Sequence, residues 1–153
     1  MAGTFDRFTE GARSALERAA EEAEHHRHGF IGTEHLLVGV MVVGEGPAAE
    51  ALIELGLGAH GAREQLVRIV GVGEPVESAP ATAARPGLTP RAREAIVRAV
   101  DEANRRAHEY VGPEHLLLGL MRDEDAVSVA MCQRQGVSRH DVLRAIERRI
   151  SRN

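Results

Sequence analysis

The chain contains an internal duplication, because residues 9–70 align with residues 89–150 at a constant offset of 80 and without a gap. Nineteen of the 62 aligned pairs are identical, and others are conservative exchanges such as Phe30 with Tyr110. A unit of this length exceeds the period of roughly 20–50 residues that is typical of solenoid repeats. The alignment therefore predicts two copies of one supersecondary unit that share a single way of folding.

Each copy is predicted to contain four helices. Thr9 is a suitable N-cap for the first, in which small apolar residues recur on one face. These residues are Ala12, Ala15, Leu16, Ala19, Ala20 and Ala23, matched in the second copy by Ala92, Ala95, Ile96, Ala99, Val100 and Ala103. The apolar segment from Thr33 to about Val43 predicts the second helix, and Pro47 and Gly56 mark the start and the end of the third.

The last helix of each copy shows an inward-facing apolar pattern. Its members are Ala62, Leu66, Ile69 and Val70 in the first copy, and Val142, Leu143, Ile146 and Ile150 in the second. No segment shows the alternation of a strand. We therefore predict an all-α, eight-helix bundle made of two four-helix repeats. It forms a single domain over residues 1–153, with repeat 1 at about 5–70, a linker rich in Gly, Pro, Ala and Ser at 71–87, and repeat 2 at about 88–152.

Charge and cysteine content exclude several classes of protein. The net charge of −4 argues against generic nucleic-acid binding, although residues 9–70 carry −5 and residues 89–150 carry +1. The one cysteine, Cys132, excludes a disulfide framework or a multi-cysteine zinc site, and we expect it to be a small buried side chain on a helix. There is neither an apolar run of about 18 residues nor a signal-peptide pattern, which predicts a cytoplasmic protein without membrane contact.

An adjacent acid and imidazole, Glu34-His35, recur as Glu114-His115. Neighbouring residues on a helix point about 100° apart, so each pair cannot converge on one ion. The zincin pattern is absent as well. The simpler interpretation is structural: Thr33 caps the helix, Glu34 complements its positive end, and His35 packs against a neighbour. Pro113 replaces Thr33 in the second copy and also suits a helix start.

A binding role remains open beside that interpretation. A carboxylate at a helix start can take a guanidinium while the unpaired amides hold an anion, which suits an arginine side chain carrying a phosphate. The stretch His25 to His28 could bind a metal loosely, but cations at a helix C-terminus explain it better, so we expect no metal site. The chain has no Lys, which excludes a Walker loop, and no nucleophile constellation is present. We expect neither a cofactor nor an enzyme.

The motifs "FDRFTEGAR", "GFIGTEHLLVGVM" and "GEGPAAEALIELG", followed by "LTPRAREAI" and "YVGPEHLLLGLM", resemble the N-terminal domain of the ClpC-type Hsp100 unfoldases, the Clp N repeat. The resemblance covers almost the whole chain. It implies a pseudo-twofold pair of four-helix repeats that docks substrates and adaptor proteins for the Clp protease.

The resemblance also implies two kinds of site. Some members of the family bind phosphoarginine, which by position implies Glu34 with Thr9 and Glu114 with Thr89. Actinobacterial members bind cyclic-peptide antibiotics in a groove between the first helices of the two repeats. That groove corresponds here to Phe5, Arg13, Leu16, Leu88, Arg93 and Val97.

Three departures from the family bear on function. Leu88 stands where an aromatic residue is common, which predicts weaker cyclic-peptide binding. The stretch "RDEDAVSVAMCQRQG" predicts a less apolar and less regular third helix in repeat 2, and the sequence stops at Asn153 without an ATPase module.

We expect a free-standing domain that acts as a decoy, adaptor or regulator of the Clp protease, with a ClpC-type unfoldase and antibiotics as further partners. The alternatives are an excised domain of a full unfoldase, or a transcription-linked interaction protein that uses the Arg residues of repeat 2. Salt-sensitive DNA binding would indicate the last of these.

Overall fold

The computed structural model describes residues 5–72 and 86–150, and these contain eight helices. The bounds are α1 Glu10–His25, α2 Thr33–Val43, α3 Gly46–Glu54, α4 Ala59–Val70, α5 Pro90–Arg105, α6 Pro113–Met121, α7 Val127–Gln133 and α8 Arg139–Ile150. The predicted all-α class and the four helices of each repeat are confirmed. Most of the predicted linker, residues 73–85, lies outside the described residues.

Two very short strands, which the sequence did not indicate, join the repeats. Strand β1 (Phe30–Ile31) pairs in parallel with β2 (Gly87–Leu88), and Phe8 forms an equivalent bridge to Val111. Two residues are too few to show alternation, which is why pattern analysis misses them. Each bridge pairs the segment just before the first helix of one repeat with the loop between the first and second helices of the other repeat. The two repeats are therefore hydrogen-bonded to each other at the starts of α2 and α5 and at the starts of α1 and α6.

The core forms where the first two helices of each repeat cross. Ala12, Ala15, Ala19 and Ala23 of α1 are buried, as the predicted stripe requires, and α2 is buried from Thr33 to Met41. Small side chains allow the two helices to approach closely. At the crossing, a Cβ added to Gly39 would lie 2.2 Å from the carbonyl oxygen of Ala15.

The remaining helices follow the sequence pattern with one error. Pro47 lies in the first turn of α3, and Gly56 follows it with φ of +75°. Helix α7 spans 7 residues against 9 for α3. The inward placement of Ile69 was wrong, because its side chain is exposed; only Ala62 and Leu66 of α4 are buried.

Among the described helices, none alone is long and apolar enough to cross a membrane. Helices α2 and α3 together meet the length and composition of a span, but they are bent by 99° relative to each other.

Candidate functional site

The repeated motif places a glycine, not the predicted threonine, at the cap of α2. Gly32 is the N-cap, and Thr33 is the first helical residue. The hydroxyl of Thr33 instead accepts a hydrogen bond of 3.2 Å from the backbone N–H of Ser128, at the start of α7. Ala126, the N-cap of α7, has no side chain that could accept a hydrogen bond. The hydroxyl of Thr33, in the other repeat, therefore accepts from a first-turn N–H of α7 that has no acceptor within its own helix.

His35 does more than pack against a neighbour, since it closes the start of α2. The N–H of Gly32 donates to His35 Nδ1 at 2.9 Å, which is the return bond of a capping box. His35 Nε2 lies 2.7 Å from His28 Nδ1, and His28 Nε2 lies 2.8 Å from the carbonyl oxygen of Gly71. An amide donor at one end and a carbonyl acceptor at the other require both imidazoles to be neutral and to donate through Nε2.

The second repeat builds the same start for α6. Gly112 is the N-cap, and its N–H donates to His115 Nδ1 at 2.9 Å. His115 Nε2 lies 2.9 Å from His108 Nδ1. The seven-residue spacing between the histidines is identical in both copies, and this is the sequence signal that could have identified the pairs.

Both inner histidines are held neutral. Burial, followed by the neighbouring His28 and His26, lowers the pKa of His35 to about 4. Burial, followed by His108 and Arg106, lowers the pKa of His115 to about 4 as well. Both rings are completely buried, so protonation would place an unsolvated charge inside each helix start.

We expect acid to destabilise the fold through these two histidines. Their folded pKa of about 4 lies below the unfolded value of about 6.5, so the unfolded chain binds more protons. The stabilisation is present above pH 6.5 and is lost as the pH falls towards 4. Lowering the pH from 7 to 5 should reduce the free energy of unfolding by about 2 kcal/mol for each histidine. Urea denaturation at the two pH values measures this loss.

His35→Gln is the matched variant, because Gln at this position retains the capping-box bond but does not titrate. It should flatten the pH dependence by about 2 kcal/mol over the same range. An unaltered pH profile in His35→Gln would show that this histidine is not the acid-sensitive group.

The carboxyl group of Glu34 lies directly above the cap. The side chain is 4% exposed, and a Cβ on Gly32 would lie 2.1 Å from its Oε1, so a larger residue at this cap would have to displace the carboxyl group of Glu34. Burial raises the pKa of Glu34, against the opposing effects of a hydrogen bond from its own backbone N–H and of His28. Within residues 5–72 and 86–150, no cationic side chain forms an ion pair with it.

Glu34 lines a cavity of about 320 Å³ that both repeats build. Its lining residues are Thr33, Glu34, Thr89, Pro90 and Arg91. The backbone N–H of Thr89 donates to Ile31 O at 2.9 Å, which brings the start of α5 against the start of α2. Two helix N-termini therefore face one cavity, and their partial positive charges favour an anion there.

The equivalent arrangement recurs around Glu114. The N–H of Thr9 donates to Val111 O at 3.0 Å, and a Cβ on Gly11 would lie 3.2 Å from Cγ of Pro113. The start of α1 thus meets the start of α6. The resemblance groups Glu34 with Thr9 and Glu114 with Thr89. In the structure, Glu34 lies beside Thr89 at one cavity, and Thr9 lies at the start of the helix of Glu114. The binding role of these four residues stays a prediction.

The two threonines cap the helices that the sequence assigned to them. Thr9 Oγ1 accepts from the N–H of Ala12, and Thr89 Oγ1 accepts from that of Ala92, each at 3.1 Å. Each hydroxyl still has its own proton to donate to a ligand.

The predicted groove residues lie on accessible surface. Arg13 donates to Phe5 O at 3.0 Å, and both side chains are exposed, as are Arg93 and Val97. Leu16 and Leu88 are half-buried against the core. Helix α1 packs mainly on α2 and α5 mainly on α6, so these residues remain available, and the groove stays a prediction.

Two of the histidines that suggested a metal site, and the single cysteine, are buried side chains. His26 and His28 are buried and stacked with ring centroids 5.7 Å apart. Within the described ranges no group of three or more His, Cys, Asp or Glu side chains is placed to hold a metal ion. Cys132 is buried on α7, as expected, and burial raises the pKa of its thiol to about 12.

Comparison with known proteins identifies the same unit. Residues 7–88 and 87–153 each match the Clp repeat N-terminal domain. The chaperone ClpB of Oceanobacillus iheyensis is 42% identical over 135 residues, which cover 88% of this chain and 16% of ClpB. ClpC/MecB of Bacillus subtilis, a negative regulator of genetic competence, is 41% identical over 134 residues, with the same two shares. The chain therefore spans about a sixth of the length of these relatives.

Solved structures agree on the fold. The N-terminal domain of the chaperone ClpD from Arabidopsis thaliana superposes with a TM-score of 0.80 at 22% identity, covering 98% of each chain. The ClpV N-domain in complex with a VipB peptide gives a TM-score of 0.65 at 14% identity, covering 91% of this chain and 84% of that one. Two family matches that together span the chain, and relatives above 40% identity, carry the conclusion. The chain belongs to the Clp repeat N-terminal domain family.

Proposed function

We propose that this domain docks substrate or adaptor proteins of the Clp system by holding phosphorylated arginine side chains at its two crossed helix starts. The observation that carries the proposal is the cavity in which a buried carboxyl group, Glu34, lies beside two helix N-termini. A phosphoarginine carries a guanidinium and a phosphoryl group side by side, and these two charges match the two features of the cavity.

The guanidinium part of such a ligand would bind Glu34. Charge-assisted bonds between a guanidinium and a carboxylate are short and strong, and a binding cation would favour the ionised form of this buried group. Burial raises the pKa of Glu34 in the free protein, and a bound guanidinium would oppose that shift by stabilising the ionised carboxylate.

The phosphoryl part would face the helix starts. First-turn amides have no intrahelical acceptor, and α2 and α5 contribute them from opposite sides of the cavity. The hydroxyl proton of Thr89 adds a donor. Arg91 also lines the cavity, held by Asp123 at 2.7 and 2.9 Å, and brings positive charge close to the phosphoryl oxygens.

Peptide docking by a similar domain supports the class of ligand. The ClpV N-domain was solved in complex with a VipB peptide, which shows peptide binding by that protein. We extend this class of ligand to the present chain on the basis of its own cavity. A domain that bound such peptides apart from an ATPase module would withhold them from the unfoldase, which is the decoy role expected from the sequence.

Isothermal titration calorimetry with free phosphoarginine tests the proposal. We expect about two molecules to bind per chain, because the arrangement occurs twice, and we expect arginine alone and inorganic phosphate to bind much more weakly. Glu34→Gln combined with Glu114→Gln preserves side-chain volume and should weaken binding by about 100-fold, since each change leaves the guanidinium without its carboxylate.

The control is Glu50→Gln combined with Glu124→Gln, which removes the same charge at two exposed positions outside both sites. It should bind like the wild-type protein. Absence of binding heat from the wild-type protein, or equal affinity in the two double variants, would contradict the proposal.

A further inference from the structure

We propose that a second cavity, built by α5, α6 and α8 in repeat 2 and distinct from the helix-start sites, binds an acidic peptide segment. Its volume is about 480 Å³, and three arginines line it: Arg105, Arg106 and Arg122. Residues 89–150 hold 11 Arg against 10 acidic residues. The structure gathers part of that excess around one opening.

One buried carboxylate arranges two of the guanidinium groups. Glu102 is 1% exposed, and its carboxylate accepts from Arg106 at 2.5 Å and from Nε of Arg122 at 2.6 Å. The other amino group of Arg106 donates to Glu147. Burial raises the pKa of Glu102, but the bonds from the two arginines outweigh it and lower the pKa, so this carboxylate stays charged and holds both forks in place.

These contacts leave some of the guanidinium N–H donors free of Glu102 and Glu147. Arg122 donates to Glu102 through Nε, so this hydrogen bond does not occupy its two amino groups, and Arg105 approaches Glu102 only at 3.9 Å. Three guanidiniums against the carboxylates of Glu102 and Glu147 leave one positive charge in the cavity. Arg105 is 66% exposed and Arg122 is 35% exposed, so a ligand can reach both.

Repeat 1 has a matching cavity with different chemistry. It measures about 540 Å³ and surrounds Glu22, the equivalent of Glu102. There, His25 and Val42 occupy the positions of Arg105 and Arg122, and Arg63 of α4 is the single guanidinium hydrogen-bonded to Glu22 among the described residues. Arg18 also lines that cavity and pairs with Glu21, so two guanidinium groups face two carboxylates there. The buried acid is common to both repeats, whereas the cavity of repeat 2 has three guanidinium groups against two carboxylates. Because repeat 1 folds in the same way without arginines at these two positions, the fold does not require Arg105 and Arg122.

The ligand class follows from donor geometry and size. Guanidinium forks match the paired oxygens of a carboxylate or a phosphoryl group, and the cavity holds one or two amino-acid side chains rather than a free ion. Ile150, half-buried at the edge, offers apolar surface to the methylene groups of a glutamate. Two acidic groups in the cavity and a net charge of −4 disfavour a nucleic acid.

Fluorescence anisotropy with a labelled peptide of alternating glutamate and glycine tests this proposal. The wild-type domain should bind it, and a peptide with glutamine in place of glutamate should not bind. Arg105→Glu reverses an exposed charge and removes the 3.9 Å approach to Glu102, but it leaves the hydrogen bonds from Arg106 and Arg122 to Glu102 in place. It should weaken binding by about tenfold. Arg105→Gln combined with Arg122→Lys should also weaken it, since Lys can still pair with Glu102 but has no fork.

Two controls separate this site from other sources of binding. Arg68→Glu, which reverses an exposed charge in repeat 1, should leave the affinity unchanged, as should Glu34→Gln with Glu114→Gln in the helix-start sites. Equal binding by wild type and Arg105→Glu, or preferential binding of a DNA duplex that competes with the peptide, would overturn the proposal.

Discussion

Replacing Gly39 or Gly119 with alanine is expected to lower the free energy of unfolding by about 3 kcal/mol, although alanine is the better helix former. A Cβ at Gly39 would lie 2.2 Å from Ala15 O, and one at Gly119 would lie 2.3 Å from Ala95 O. These are backbone atoms of α1 and α5, so whole helices must move apart to relieve the overlap. The loss is large compared with the 5–15 kcal/mol that stabilises a typical domain.

Gly61→Ala provides the helical control. A Cβ there would meet Oε1 of Gln135 at 2.5 Å, the end of a flexible side chain that can turn away. Its effect should therefore stay within about 1 kcal/mol. Urea unfolding followed by far-UV circular dichroism measures all three variants. Wild-type stability in both Gly39→Ala and Gly119→Ala would mean that the close helix crossing is not what holds each repeat together.

The sequence predicted the parts of the fold that depend on local patterns. The alanine stripe of α1, the helix start at Pro47 and the stop at Gly56 each follow from short-range preferences, and all three are confirmed. The ungapped duplication then doubled every prediction. The prediction that Ile69 faces inward was wrong, because apolar spacing alone does not show how far the end of a helix extends beyond the core.

The candidate site depends on contacts that local patterns do not contain. Two-residue strands bring Thr89 to Glu34, and nothing in a single repeat indicates that its acid will face the threonine of the other. In the same way, the hydroxyl of Thr33 accepts a hydrogen bond from the backbone N–H of Ser128, which lies 95 residues away in the sequence. Sequence analysis could name the residues of the site from the family resemblance, but only the packing of the two repeats determines their grouping.

The crossed grouping leads to the second prediction, in which aspartate replaces each capping threonine. Aspartate is an N-cap as good as threonine, so the helices should remain stable, but its negative charge would repel a phosphoryl group. Thr89→Asp should therefore disable the site of Glu34, and Thr9→Asp the site of Glu114. We expect about a 100-fold loss of phosphoarginine affinity at the affected site and little change at the other.

The most direct test combines these changes in a protein that keeps one site. In the Glu114→Gln background, where the Glu34 site remains, calorimetry should show about one phosphoarginine per chain. Adding Thr89→Asp should abolish that binding, and adding Thr9→Asp should leave it intact. The opposite pattern, with binding lost on Thr9→Asp and kept on Thr89→Asp, would contradict a site built across the two repeats.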